Sequence, residues 1–201
     1  MEVIITVPHG PACNDDDLAK VTHLCDLAAY PAALLIQERL SSRGVNSFVL
    51  PADVNRRVVD LNRSPSRSSS KTGFRRKLRE LLKTNMGTVK LVLDVHSFPA
   101  HYDQWTGHDI VLLEDRQNME GLPVASLRDY LISTRVNASL FRGEHNDIQD
   151  EMHELGYESF LVEFNEDLLN EDASGLMNAT SDVSDWVYNF VAKHKPPQPV
   201  K

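Results

Sequence analysis

Two histidines, an aspartate and a glutamate supply the residue types of a hydrolytic metal centre, and each stands at the edge of an apolar segment. Leu91-Val92-Leu93-Asp94-Val95-His96-Ser97-Phe98-Pro99 is β-branched and apolar until it closes on acid, imidazole and hydroxyl. That is the pattern of a buried strand whose last residues reach the edge of a sheet. Strand alternation puts Asp94 and His96 on one face, Val95 and Ser97 on the other. A carboxylate inside such a strand is costly unless it is paired or bound to something. Glu2-Val3-Ile4-Ile5-Thr6-Val7 is a second run of this kind and leads into Pro8-His9-Gly10-Pro11. If the two strands are parallel neighbours, His9 and His96 leave the same carboxyl edge, where open α/β sheets place ligands. Two imidazoles meeting a carboxylate point to zinc.

A hydrolytic zinc site needs a third protein ligand and a carboxylate that manages the proton. Asp26 stands where the first long helix begins and can aim back at the strand edge. An acid there is also favourable to the helix with no metal at all, and Asp15, Asp16, Asp17, Asp94 and His23 compete for the position. Glu163 ends the buried strand Ser159-Phe160-Leu161-Val162-Glu163-Phe164 and is the candidate general base; the alternative is an ion pair with Arg63 or Arg57. Asp60-Leu61-Asn62-Arg63 sets an amide beside a guanidinium, a fork suited to an anionic substrate group.

Taken in order, Pro8-His9-Gly10, Arg57-Val58-Val59-Asp60-Leu61-Asn62-Arg63 and Asp94-Val95-His96-Ser97-Phe98 resemble successive signatures of the N-formylglutamate amidohydrolase family. Asn137 to Gly143 and Leu161-Val162-Glu163-Phe164 resemble its later blocks, and the likeness spans positions 3 to 170. That family is similar in fold to the zinc carboxypeptidases, with a mixed, mostly parallel sheet between helices, a phosphorylase/hydrolase-like α/β/α sandwich. The resemblance implies one zinc ion per chain held by His9, Asp26 and His96, water activation by Glu163, and a substrate carboxylate gripped by Asn62 and Arg63, with Arg57 nearby. It implies hydrolysis of an amide in a small carboxylate-bearing N-acyl amino acid or at a peptide C-terminus. The sequence departs from the pattern at Pro11 and at Ala12, three residues after His9, and is short for the family.

The elements that must position these residues alternate. Strands are expected at 2–7, 45–50, 91–98, 109–113, 135–141 and 159–164. Helices are expected at 26–43, ended by Gly44, at 72–84, at 122–133, at 148–155, ended by Gly156, and at 181–193. Strand–helix alternation predicts one three-layer α/β/α domain over 1–194, with a proline-rich flexible tail at 195–201. At 201 residues, 41% hydrophobic and 25% charged, the chain suits a single large core. Two cysteines, Cys13 and Cys25, make no disulfide framework and suggest a reducing compartment. With no secretory pattern and no bilayer-length apolar run, a cytoplasmic protein without membrane partners is expected. The net charge of −8 hides a basic block from Arg56 to Lys90. Phe74, Leu78, Leu81 and Leu82 give this block's helix an apolar stripe and leave the rest as solvent face, so nucleic acid is not the expected partner. The rival to a hydrolase is a non-catalytic binding protein on the same fold.

Overall fold

The computed structural model describes residues 1–10, 25–56, 60–62, 72–116, 118–143, 147–169 and 173–194. Six strands form one sheet: β1 (Val3–Val7), β2 (Ser47–Pro51), β3 (Leu91–Phe98), β4 (Ile110–Glu114), β5 (Ala138–Arg142) and β6 (Ser159–Asn165). Their order is β2-β1-β3-β6-β4-β5. All neighbours run parallel except β4 and β6, which are antiparallel. Among the described residues five helices cover the faces: α1 (Ala29–Ser42), α2 (Gly73–Thr84), α3 (Pro123–Ser133), α4 (Asp147–Glu154) and α5 (Ser174–Lys193). The result is the expected α/β/α sandwich.

Alternation along the strands divides the core in two. Val3, Ile5, Val7, Leu91, Leu93, Val95, Phe160, Val162 and Phe164 pack with α1, α3 and α5. Ile4 and Val92 face the other way, against Phe74, Leu78 and Leu82 of α2 and Ile148 and Met152 of α4. By strand period, Thr6, Asp94, His96 and Glu163 belong to this second face. The chemistry therefore gathers on the α2/α4 side of the sheet, at the carboxyl ends of β1, β3 and β6.

Gly44 and Gly156 end α1 and α4 as expected. Each has φ near +80°, and the following residue's N–H reaches back to Leu40 or Met152, which is a Schellman closure. The same closure ends α3, but with Arg135 at φ 71° in the glycine position. The strand expected from Arg135 consequently begins at Ala138. The last helix starts seven residues earlier than expected, at Ser174, because Leu176 and Ala179 are buried there and tertiary packing outweighs the weak local propensity of Gly175 and Asn178. Arg75, assigned by periodicity to a solvent face, is fully buried. Its Nε donates to the Leu61 carbonyl (3.1 Å) and its Nη1 pairs with Glu151 (3.1 Å), so it fixes the turn carrying Asp60 and Asn62. The tail at 195–201 lies outside the described residues.

Candidate functional site

β1 and β3 are parallel neighbours, with Thr6 in register with Asp94, so both histidines do leave the same edge. Their ring centroids are 4.7 Å apart in an edge-to-face arrangement. Asp26, three residues before α1, reaches between them. Its Oδ2 lies 2.8 Å from His96 Nδ1 and 3.5 Å from His9 Nδ1. His9, Asp26 and His96 are all buried, and their ligand atoms fall within 4.8 Å of one another. Tight backbone geometry puts His9 there: the His9 carbonyl accepts from Asp26 N–H (3.0 Å). A Cβ on Gly10 would stand 2.9 Å from Val7 Cγ1 and 3.3 Å from Tyr30 Cβ, so the next residue has no room for a side chain.

The far nitrogens of both rings are also held. His9 Nε2–H donates to Asp60 Oδ1 (2.8 Å) and His96 Nε2–H to Asp94 Oδ2 (3.2 Å); a carboxylate can only accept, so both Nε2 atoms carry the hydrogen. Asp94 is fully buried and takes a second bond from Thr6 Oγ1 (2.6 Å). It orients His96 and is not one of the three clustered residues that could hold a metal. Carboxylates on the outer nitrogen of ligating histidines are a regular feature of zinc sites. Asp60 is steadied by Asn62 N–H (3.0 Å) and by Arg56 Nε (3.5 Å).

These residues fit a zinc ion. Among the described residues His9 Nδ1 is buried and has no hydrogen-bond partner, an orphan that a metal would satisfy. Donor atoms around a tetrahedral zinc with bonds of about 2.0–2.1 Å stand about 3.3 Å apart. The 2.8 and 3.5 Å separations bracket that value. Two imidazoles and one carboxylate leave a fourth position open, as in catalytic rather than structural sites.

Glu163 pairs in register with His96 across β3 and β6. It is 9% exposed and has no hydrogen-bond or ion-pair partner among the described residues. Arg57 and Arg63, the alternative partners expected from sequence, lie outside those residues, as do Asp15, Asp16, Asp17 and His23. Asn62 is at the site's rim with its Oδ1 buried and unpartnered among the described residues. The cation the sequence reading missed is Arg56, whose Nη1 is 4.0 Å from Asp26 Oδ1. It sits in a basic stretch and bears no motif that would have singled it out. A second grouping, Glu114, His153 and Glu158, is already neutralised: Arg116 pairs with both glutamates, and His153 Nε2–H donates to the Ser159 carbonyl (2.8 Å). Cys25, next to Asp26, is disulfide-bonded, which does not match the reducing compartment expected from the cysteine count. No helix of the described residues is long and apolar enough to cross a membrane.

The charges shift one another's titration. Burial pushes Asp26 up, but His9 and His96 outweigh it and hold the carboxyl well below the usual range. Asp60 is held low in the same way, by His9, Arg56 and the Asn62 N–H against burial. Burial would lower His96, yet Asp94 and Asp26 raise it well above its ordinary 6.5. Burial pushes Glu163 from 4.5 to about 8, with Asp26 and Asp94 adding to the rise against His96 and Arg56.

Linkage turns these shifts into a stability profile for the metal-free chain. The depressed acids contribute stability that is present above pH 3.8 and lost as pH falls towards their folded values. His96 contributes stability that is full below 6.5 and lost as pH rises through its raised value. Protonated Glu163 favours the fold below 4.5, an advantage gone above about 8. Chelator-treated protein should thus melt highest near pH 4 to 4.5 and progressively lower as pH rises towards 8 and above. Thermal denaturation across that range checks this. A melting temperature that climbs steadily to pH 8 would contradict it.

No family model matches the sequence, and no curated protein matches it. Solved structures do share the fold. The gene product Atu2144 from Agrobacterium tumefaciens aligns with a TM-score of 0.68 at 14% identity, covering 96% of this chain and 88% of that one. The CwlD amidase from Clostridioides difficile, solved in complex with the GerS lipoprotein, aligns with a TM-score of 0.55 at 14% identity over 96% of this chain and 100% of that one. The N-acetylmuramoyl-L-alanine amidase AmiC2 of Nostoc punctiforme gives 0.55 at 12% identity, covering 96% of each chain.

Proposed function

We propose that this chain is a zinc-dependent amidohydrolase whose substrate is a carboxylate-bearing N-acyl amino acid or the C-terminus of a peptide. The observation that carries the reading is the convergence of His9, Asp26 and His96 around the orphaned His9 Nδ1, with Glu163 facing His96 in register. The two neighbours named as amidases support amide hydrolysis on this fold. The resemblance to the N-formylglutamate amidohydrolases supports the narrower substrate class.

When bound, zinc supplies Lewis-acid polarisation of an amide carbonyl and lowers the pKa of water. Glu163 accepts a proton from the attacking water as its oxygen bonds to the carbonyl carbon. It then returns that proton to the nitrogen as the C–N bond breaks, giving a carboxylic acid and an amine. His96 and, more weakly, Arg56 oppose the rise that burial imposes on Glu163 and so favour its ionised form, the form a base requires. Asp60 and Asp94 keep each ring's Nδ1 aimed inward. Arg63, with Asn62, holds the substrate carboxylate.

Purified protein should bind one zinc per chain and hydrolyse N-acyl glutamates faster than their amide or ester analogues. Arg63→Lys should erase that preference, since lysine loses the planar two-point fork. Steady-state kinetics on paired acid and amide substrates measure it. Zinc bound without turnover of any such amide would favour the non-catalytic reading, and an unchanged acid preference in Arg63→Lys would remove Arg63 from the site.

A further inference from the structure

Helix α1 begins without a cap of its own. Ala28 at the N-cap offers no side-chain hydrogen bond and no acid occupies the first turn, although the first N–H groups of a helix need partners. Pro31, in that turn, dispenses with one of them. Asp26 would be the natural local acceptor, but its carboxylate is turned to His9 and His96. Ala29 N–H finds the Asp26 carbonyl (3.2 Å), and the two N–H groups before it are met by side chains on β3 and just after β6. Ala28 N–H donates to Ser97 Oγ (3.0 Å) and Leu27 N–H to Glu166 Oε1 (2.9 Å), while Ser97 O–H donates to that same Glu166 oxygen (3.0 Å). On the other side, Asp26 N–H is tied to the His9 carbonyl (3.0 Å). The Leu27 side chain is 47% exposed, so packing does not hold this residue; its backbone bond to Glu166 does.

We infer that Glu166, acting through Ser97 and the Leu27–Ala28 backbone, is a positioning residue that holds Asp26 in its metal-ligating conformation. Ser97 directly follows His96 on β3, and Glu166 directly follows β6, the strand that carries Glu163. One carboxylate oxygen thus ties the third ligand to both strands that bear the chemistry. Groups outside the ligand set that orient a ligand typically change metal affinity by about 10–100-fold when removed. The inference rests on the zinc reading above.

Both bonds at Glu166 end on a single oxygen, which gives the test its form. Glutamine keeps a carbonyl oxygen at that place and can accept from both donors. Aspartate keeps the charge but withdraws the oxygen by about one bond length, roughly 1.5 Å. Zinc affinity of the purified full chain would be measured by competition with a chromophoric chelator, alongside the melting temperature of the metal-free form. Glu166→Gln should bind zinc like the wild type. Glu166→Asp and Glu166→Ala should bind it about 10–100-fold more weakly. Should Glu166→Ala fail to fold, Ser97→Ala and Glu166→Asp carry the test, both expected to weaken binding. Zinc affinity unchanged in Glu166→Asp, Glu166→Ala and Ser97→Ala, with only the metal-free melting temperature lowered, would make Glu166 merely structural and overturn the inference. So would Glu166→Gln falling as far as Glu166→Ala. A wild-type chain that binds no zinc overturns this inference together with the zinc reading, whereas tight wild-type binding with indifferent variants overturns this inference alone.

Discussion

Replacing Glu163 by glutamine is expected to reduce amide hydrolysis by about 10²–10⁴-fold while leaving the fold and one zinc per chain intact. The carboxamide keeps the side chain's shape but cannot accept the proton of water. Glu163 is suited to that role by where β6 puts it: buried, opposite His96 in register, and without a hydrogen-bond partner among the described residues to compete for its lone pairs. A structural carboxylate in such a place would be expected to have a donor. The substitution should also have a signature away from catalysis. Because burial pushes the Glu163 carboxyl up to about 8, its ionisation weakens the metal-free fold as pH rises, and glutamine removes that contribution. Metal-free Glu163→Gln should therefore lose less melting temperature than the wild type between about pH 5 and 8. A variant with nearly full turnover would move the base elsewhere. Glu166 is the neighbouring acid, and there the glutamine variant is expected to be the harmless one, so the two substitutions should separate base from brace.

Much of the architecture was legible because the sheet is buried on both faces. Strands such as Val3–Val7 and Leu91–Phe98 are near-continuous apolar runs, so the few polar residues in them, Thr6, Asp94 and His96, stand out as features needing explanation. Gly44 and Gly156 marked helix ends because a left-handed residue there favours glycine. Arg135 does the same without glycine, and nothing local announces it. The site was half legible for a related reason. His9, His96 and Glu163 terminate strands, where sequence pattern reports position. Asp26 lies in an irregular turn, where local pattern left it little ahead of Asp94 and only the family resemblance singled it out; the tertiary hydrogen bonds give Asp94 to Thr6 and His96. Arg56 at Asp26, Arg75, Ser97 and Glu166 act through contacts that sequence pattern does not reach, from 14 residues away for Arg75 to 139 for Glu166, a range to which helical or strand periodicity is blind. Periodicity indeed assigned Arg75 to solvent, since a buried arginine is recognisable only once its partners, Leu61 and Glu151, are in place.

His96→Ala should be the most damaging single substitution in the site, and it should differ in kind from His9→Ala. In the proposed zinc site both remove a ligand, so both should abolish stoichiometric zinc and turnover. Their effects on the metal-free chain diverge because the two rings neutralise different acids. His96 bridges Asp26 Oδ2 and Asp94 Oδ2, and both carboxylates are buried. Without the imidazole, Asp94 retains Thr6 but loses its ion-pair partner, and two buried acids face each other across the gap. Breaking a buried pair from one side costs about 3–5 kcal/mol, which for a chain of this size lowers the melting temperature by about 6–20 °C. His9 contacts Asp26 more distantly, and its other partner, Asp60, is partly exposed and keeps Arg56 and the Asn62 N–H. Its loss should cost about 1–2 kcal/mol at most. Thermal denaturation of chelator-treated His9→Ala and His96→Ala at pH 6, beside wild type, measures the difference. Equal losses would show that His96 is not the hub of the buried charges. Retention of one tightly bound zinc in either variant would show that the ion sits on other ligands.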